Sequence, residues 1–335
     1  MSALEATRPR RFTDTRLAAF ARNNSVLFAL AVLVVAGIVT SPAFVQPSNL
    51  LNVARQISMI GILGVGMTFV ILSAGIDLSV GSIVAVGAVL IAQNLQQANA
   101  NILVVILIPL GIGLLMGVIN GIGIAYGKIA PFIMTLSMMV MGSGLALTIA
   151  RGQPMRIPSV FLDPSKQPLI IRQFNWISND YIGPIPVPVV VFAVILVISA
   201  VVLRFTSFGR AVYAIGGNIQ AARMCGIDVS ARILGIYAIS GLLAGVVAIL
   251  WASRVGVGEP WAGRGTEFEA IGAVVIGGTS LAGGRGGVWG TLIGALIFGL
   301  LANLMNLWGI PPFSQIVAKG VIILATMLLA QVIRR

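Results

Sequence analysis

Histidine is absent from this chain, and cysteine occurs once, at Cys225. No disulfide can form within the chain, no Ser-His-Asp or Cys-His nucleophile can be assembled, and a zinc-type cluster lacks its ligands. Acidic residues are scarce too: nine Asp and Glu stand against 21 Lys and Arg, and only 9% of residues are charged. Soluble domains carry about 25% charge, so this is not a soluble globular protein. No G-x-x-x-x-G-K-[ST] stretch occurs, so the chain has no P-loop of its own. The basic excess imitates a nucleic-acid binder, but in so apolar a chain it is loop charge, and nucleic acid is not an expected partner.

What remains is apolar. Of 335 residues, 58% are hydrophobic and 40 are glycine. A membrane-spanning helix uses ~20 mostly apolar residues, and abundant glycine suits closely packed helices. The composition therefore predicts an all-α polytopic membrane helix bundle of about ten transmembrane helices. Residues 23–54, 56–76, 78–127, 129–150, 181–203, 233–253, 270–284, 286–318 and 320–333 carry no charge, and the polar stretch 93–101 divides the longest interval. The predicted spans are roughly 25–41, 57–75, 79–93, 102–126, 131–150, 187–205, 233–253, 270–282, 288–307 and 315–333. The third and eighth are short, so they are either tilted or broken segments buried in protein.

With the N-terminus inside, thirteen basic residues fall in inner segments and seven in outer ones, which puts the N- and C-termini in the cytoplasm. The first span follows a basic segment but ends without a clear A-x-A site, so it is read as a retained anchor rather than a signal peptide. One integral domain over 1–335 is expected. It has a cytoplasmic N-terminal segment 1–24, an extracytoplasmic loop 151–187 and a cytoplasmic loop 206–232.

The cytoplasmic loop holds a punctuated short helix. Asn218 is a good N-cap, Ile219 to Cys225 are helix-compatible, and Gly226 stands where a terminating glycine belongs. About two turns cannot persist alone in water. The helix either lies against its own bundle or docks into a partner.

Three stretches now become recognisable: Gly75-Ile76-Asp77-Leu78-Ser79-Val80-Gly81-Ser82; the loop with Gly209, Arg210, Gly216, Gly217, Asn218, Gly226 and Ile227; and Ala273-Val274-Val275-Ile276-Gly277-Gly278-Thr279-Ser280-Leu281-Ala282-Gly283-Gly284. They resemble the ribose-type (carbohydrate uptake) ABC transporter permeases, from about Asn23 to the end of the chain. The resemblance implies the membrane-spanning permease subunit of an ATP-driven, binding-protein-dependent importer for a ribose-like monosaccharide or related polyol, in the inner (plasma) membrane. It implies a homodimer or paired paralogous permeases, cytoplasmic ATPase modules that bind ATP and magnesium, and an extracytoplasmic sugar-binding protein. The chain itself is then no enzyme and carries no cofactor or metal. The coupling helix that fits the ATPase maps to Asn218–Cys225, with Ala221, Ala222 and Arg223 on it. The other reading of the chain, an ion-coupled secondary transporter, finds few ionisable groups to use: only Asp77 and Lys319 come near a span, both at its end.

Individual residues carry competing readings. In the first motif, Gly75 ends one helix and Asp77 or Ser79 caps the next, which is favoured over a direct role of Asp77 in transport. The six glycines of 277–287 form a hairpin, with Arg285 an inside-positive anchor or an ATPase contact. The ridges Gly113, Gly117, Gly121 and Gly286, Gly290, Gly294 pack helices within the chain more readily than between chains. Thr266 to Glu269 matches a capping box, with Glu269 the cap; Glu259 and Glu267 offer acids to a docking binding protein. The outer loop, rich in proline with Phe161, Phe174, Trp176 and Tyr181, either receives that partner or forms an ordered lid. Asn120, Asn303 and Asn306 either line a sugar path or bind helices together, the latter being more usual.

Overall fold

The computed structural model describes residues 25–97, 99–158 and 164–334. The predicted N-terminal segment 1–24 and Phe161 lie outside the described residues. Each of the ten predicted spans holds a helix. These are α1 (Ser25–Thr40), α2 (Pro47–Leu72), α3 (Val80–Leu95), α4 (Ile102–Ala125) and α5 (Pro131–Ile149) in the first half. After a connecting region come α7 (Val187–Phe205), α10 (Val229–Val255), α11 (Thr266–Ile276), α12 (Val288–Leu307) and α13 (Pro312–Arg334). Among the described residues, six helices are long and apolar enough to cross a membrane: α2, α4, α5, α7, α10 and α12. The chain is a polytopic helical membrane protein.

Helix α2 is the hub. Every residue from Ile57 to Leu72 is buried, which is the packing expected of a helix apolar on all sides. Three glycines admit its neighbours. A side chain at Gly61 would run into Phe192 of α7, one at Gly64 into Thr291 of α12, and one at Gly66 into the backbone of Ser240 on α10. The sequence predicts a start near residue 57, yet the helix begins at Pro47. The charge-free criterion stopped at Arg55, whose guanidinium is in fact tucked into the structure. It donates to Asn179 O at 3.2 Å and lies 4.8 Å from the Tyr181 ring.

The Gly113, Gly117, Gly121 ridge is an internal contact: it lies against Gly241, Tyr237 and Leu234 of α10 at backbone distance. In the second ridge, Gly290 meets Gly277 and Gly294 meets Ala273, again within the chain. Gly286 stands before α12, in the hairpin, so it is no part of that ridge.

The region 151–187 contains more regular structure than its prolines suggest. Helix α6 (Leu169–Asn179) buries Ile171, Phe174 and Ser178 on one face. Short strands β1 (Met155–Arg156) and β4 (Val257–Gly258) pair antiparallel, as do β2 (Tyr181–Ile182) and β3 (Ile185–Pro186). Phe174 is fully buried while Trp176 and Tyr181 are exposed. The loop 206–232 likewise holds two helices: α8 (Ser207–Gly217), which the sequence reading missed, and α9 (Ile219–Met224).

The two short predicted spans hold short helices preceded by non-helical chain. At 1.5 Å per residue, α3 reaches about 24 Å and α11 about 16 Å, against ~30 Å of hydrocarbon. Non-helical stretches lead into each: residues 73–79 before α3, and 256–265 before α11. The second stretch runs antiparallel along α3, with Gly258 against Ala88 and Ala92, and Gly263 against Gly81 and Val84. The N-terminal ends of α3 and α11 therefore meet inside the protein.

Candidate functional site

The turn that leaves α2 is built on Ala74, not Gly75. Ala74 takes the left-handed backbone (φ 62°), and Gly75 donates back to Val70 O at 3.0 Å. Gly75 is needed for space: a Cβ there would sit 2.5 Å from the Tyr237 hydroxyl. The chain then runs non-helically to Ser79 with its freed carbonyls satisfied by side chains. Ile76 O accepts from Tyr237 Oη and from Thr135 Oγ1, each at 3.3 Å.

Asp77 is fully buried and ties this stretch together. Its Oδ1 accepts from Ser79 N at 2.9 Å and Ser79 Oγ at 2.6 Å, and its Oδ2 accepts from Ser240 Oγ on α10 at 2.7 Å. Asn120 Nδ2 of α4 donates to Ser79 Oγ at 2.9 Å, and Ser82 Oγ donates to Ser79 O at 2.8 Å. Asp77 thus acts as a cross-brace between α3 and α10 and as the acceptor for the residue that begins α3. Gly81, one turn on, is fixed by the close approach of Gly263 and of the Glu267 carboxylate.

The second motif makes a corner. Thr206 caps α8 by accepting from Gly209 N at 3.1 Å, and Gly209 packs on the carbonyls of Val202 and Leu203, where no side chain fits. Asn218 ends α8 and caps α9, its Oδ1 accepting from Gln220 N at 2.9 Å and Ala221 N at 3.0 Å. Gly226 (φ 77°) terminates α9, and Ile227 N returns to Ala222 O at 3.1 Å. The punctuation predicted from Asn218 and Gly226 is what forms. Ala222 packs with Ile215 and Val229 in a small core that holds α9 to α8 and α10. On its other side Met224 is 89% exposed, with Gln220, Arg223 and Cys225 exposed beside it.

The third motif folds over this corner. In the 277–287 hairpin, Ser280 N donates to Arg285 O at 2.9 Å, and Gly284 N donates to Leu72 O at 2.9 Å. Tyr213 Oη of α8 donates to Gly286 O at 2.9 Å; burial raises the pKa of this phenol, which keeps it a donor. Gly216 is wedged where Leu72 and Gly284 meet, leaving no room for a Cβ, and Gly283 lies against Gly216 in turn. The second and third motifs therefore meet the end of α2, just ahead of the first motif, at one junction, Leu72–Gly216–Gly284. A cleft of about 560 Å³ opens beside it, lined by Ser73, Lys128, Asn218 and Arg223 among others. Arg210 is elsewhere, on α8 facing a second cleft with Arg204. Arg285, in the pair that closes the hairpin, is exposed.

The remaining predicted residues are dispersed. Asn303 and Asn49 form a reciprocal amide pair at 3.1 and 2.7 Å, Asn306 accepts from Gln315 Nε2 at 2.8 Å, and Asn120 belongs to the Asp77 cluster. The structure does not bring these three asparagines together. The capping box is not formed. Gly265 (φ 87°) precedes α11, and it is Glu267 that accepts from Gly265 N, with both oxygens at 3.1 Å. Thr266 Oγ1 donates to Gly263 O at 2.6 Å, and Glu269 pairs with Lys319 Nζ at 2.5 Å. Of the competing partners, Gly263 is local, three residues back, whereas Lys319 is 50 residues away and invisible to a local motif. Glu267 is only 5% exposed, so it is not displayed to a docking protein in this conformation; Glu259 is half-buried.

A family described as branched-chain amino acid transport system / permease component matches residues 49–329. The chain is 40% identical over 300 residues to the ribose import permease protein of Haemophilus influenzae, and 42% identical over 300 residues to that of Bacillus subtilis, covering 90% of each chain in both cases. It is 36% identical over 350 residues to the xylose transport system permease protein of Haemophilus influenzae, covering 89% of this chain and 93% of that one. No solved structure matches.

Proposed function

The chain belongs to the branched-chain amino acid transport system / permease component family and is a ribose-type ABC transporter permease, and from that premise we propose that it imports a sugar as the membrane-spanning subunit of an ATP-driven system. The relatives named for ribose and xylose support a monosaccharide as cargo. The chain is read with ten crossings and both termini in the cytoplasm of a cell whose inner (plasma) membrane holds it. A second permease copy or paralogue completes the pathway, a binding protein delivers sugar at the outer loops, and an ATPase docks on α9. Chemistry stays with the partner; this chain supplies a path and a lever.

One observation carries the reading: the short helix α9, apolar and exposed at Met224, stands on a rigid junction that joins it to the α2–α3 turn and to the hairpin before α12. Closure of the ATPase pushes α9. The junction passes that push through the non-helical stretch 73–79 to the half-helix α3, and through Asp77 to α10. Because α3 and α11 meet end to end, the displacement reaches both halves of the chain, which is the element alternating access requires.

The test is co-purification from the native host. An ATPase subunit retained by the intact chain, and lost when 218–225 is replaced by a Gly/Ser linker, is the expected result. Uptake should also persist when the proton gradient is collapsed while ATP stays high. Loss of uptake under that treatment would favour the ion-coupled alternative and end the proposal.

A further inference from the structure

Helix α7 presents a continuous apolar stripe to its surroundings: Val194, Val197, Ile198, Val201 and Phe205 are all exposed at helical spacing. The stripe does not end in water. It leads into a cleft of about 700 Å³ whose far wall is the hairpin backbone at Gly286 and Gly287 and the indole of Trp289, itself 57% exposed. At the mouth stand two guanidinium groups, Arg204 at the end of α7 and Arg210 on α8, both exposed. Among the described residues neither forms an ion pair; Arg204 only lies 5.4 Å from the Phe205 ring. Tyr213 lines the same mouth.

Three features coincide here: an apolar trough along a helix, aromatic side chains lining the cleft at its end, and two positive charges on the same cleft without an ion pair among the described residues. That combination, an apolar trough leading to a cleft both aromatic and basic, matches an acyl chain followed by its ester region and its phosphate. We propose that this cleft is a binding site for one anionic phospholipid of the leaflet on the α9 side. An acyl chain lies along Val194, Val197 and Val201, and the phosphate is held between Arg204 and Arg210. A soluble protein partner does not need the long apolar stripe, and a zwitterionic lipid does not need two free arginines. The lipid then supports the wall of the hairpin that carries the Leu72–Gly216–Gly284 junction, through Trp289 and Gly287. The inference does not depend on the cargo or on the coupling role of α9.

The experiment is native mass spectrometry of the full chain with its co-purified subunits, after exchange into detergent containing equal amounts of phosphatidylglycerol and phosphatidylcholine with the same acyl chains. The intact chain is expected to retain phosphatidylglycerol selectively. Each arginine near a membrane surface is worth about fivefold in affinity for anionic lipid, so Arg204→Gln with Arg210→Gln should lower retention about 25-fold. The pair Arg204→Lys with Arg210→Lys keeps the charge and should keep the lipid, which separates charge loss from misfolding. Val201→Trp fills the trough with both arginines intact and should also expel the lipid. Equal retention by the glutamine pair, or equal retention of phosphatidylcholine, overturns the site. So does a Trp289→Cys variant that cross-links efficiently to the ATPase subunit or to a second copy, because the cleft is then a protein interface.

Discussion

Gly284 donates its N–H to the carbonyl of Leu72 at 2.9 Å, closing onto α2 a hairpin that the chain reaches only near its end. With Gly216 wedged between them, the bond makes the second and third glycine-bearing motifs and the end of α2, just ahead of the first motif, one mechanical part.

Gly216→Ala is expected to disable that part. A Cβ at residue 216 falls on the Leu72 carbonyl and on Gly284 N, both backbone, so nothing flexible can yield. Overpacking of this kind costs about 1–3 kcal/mol. Sugar uptake should fall at least about tenfold and thermal stability in detergent should drop. Gly217→Ala is the control, since nothing lies within 4 Å of a Cβ there. Similar behaviour of the two variants would show that the wedge is irrelevant.

Asn218→Ala removes the side chain that satisfies Gln220 N and Ala221 N. Loss of an N-cap costs about 1 kcal/mol, which for a helix as short as α9 is a large share of its stability. Amide exchange over 219–224 should accelerate about fivefold, while Asn218→Asp should restore protection. No change in exchange would mean that the small core of Ile215, Ala222 and Val229 alone holds the helix.

Met224→Glu probes the outward side of α9. The side chain is almost wholly exposed, so the substitution should leave the unfolding temperature within about ±0.5 kcal/mol of stability. Retention of the ATPase on co-purification should nonetheless be lost. An undiminished ATPase band would place the docking surface away from α9.

Asp77→Ala and Ser240→Ala address the cross-brace. Each leaves a buried polar partner unsatisfied, at about 1–3 kcal/mol, and the double variant should cost clearly less than the sum of the two. Chemical unfolding of the single and double variants gives the coupling energy. Additive costs would show that the 2.7 Å contact contributes nothing of its own.

Asn303→Ala breaks the amide pair with Asn49. Hydrogen bonds between membrane helices are worth about 0.6–1.7 kcal/mol, so stability should decline by that order. Competition uptake with other sugars should be unaltered. A changed sugar preference would return Asn303 to the translocation path.

Much of this architecture is legible in the sequence because lipid leaves few options. Uncharged intervals, the longest divided by the polar stretch 93–101, locate α4, α5, α7 and α12 to within a residue or two. Capping chemistry locates α9, since Asn218 and Gly226 act on their immediate neighbours. Legibility fails wherever a distant residue decides. Arg55 looked like a boundary until Asn179 and Tyr181 took its charge. Glu269 looked like a cap until Lys319 paired with it. Gly75 looked like the residue that ends α2, but Tyr237 fixes its identity and Ala74 makes the turn. Helix α6 had a local signal in the spacing of Ile171, Phe174 and Ser178, masked by the prolines on either side.

The non-helical stretch 73–79 also bears on how the chain is made. Ile76 and Asp77 find their partners at Tyr237 and Ser240, more than a hundred residues further along. While those residues are still in the ribosome, the stretch before α3 has polar backbone that hydrocarbon cannot satisfy. Strict one-by-one delivery of helices into the bilayer would strand it there. The stretch is therefore completed in two stages, first by Thr135 of α5 on Ile76 O and then, when α10 arrives, by Tyr237 on Ile76 O and Ser240 on Asp77.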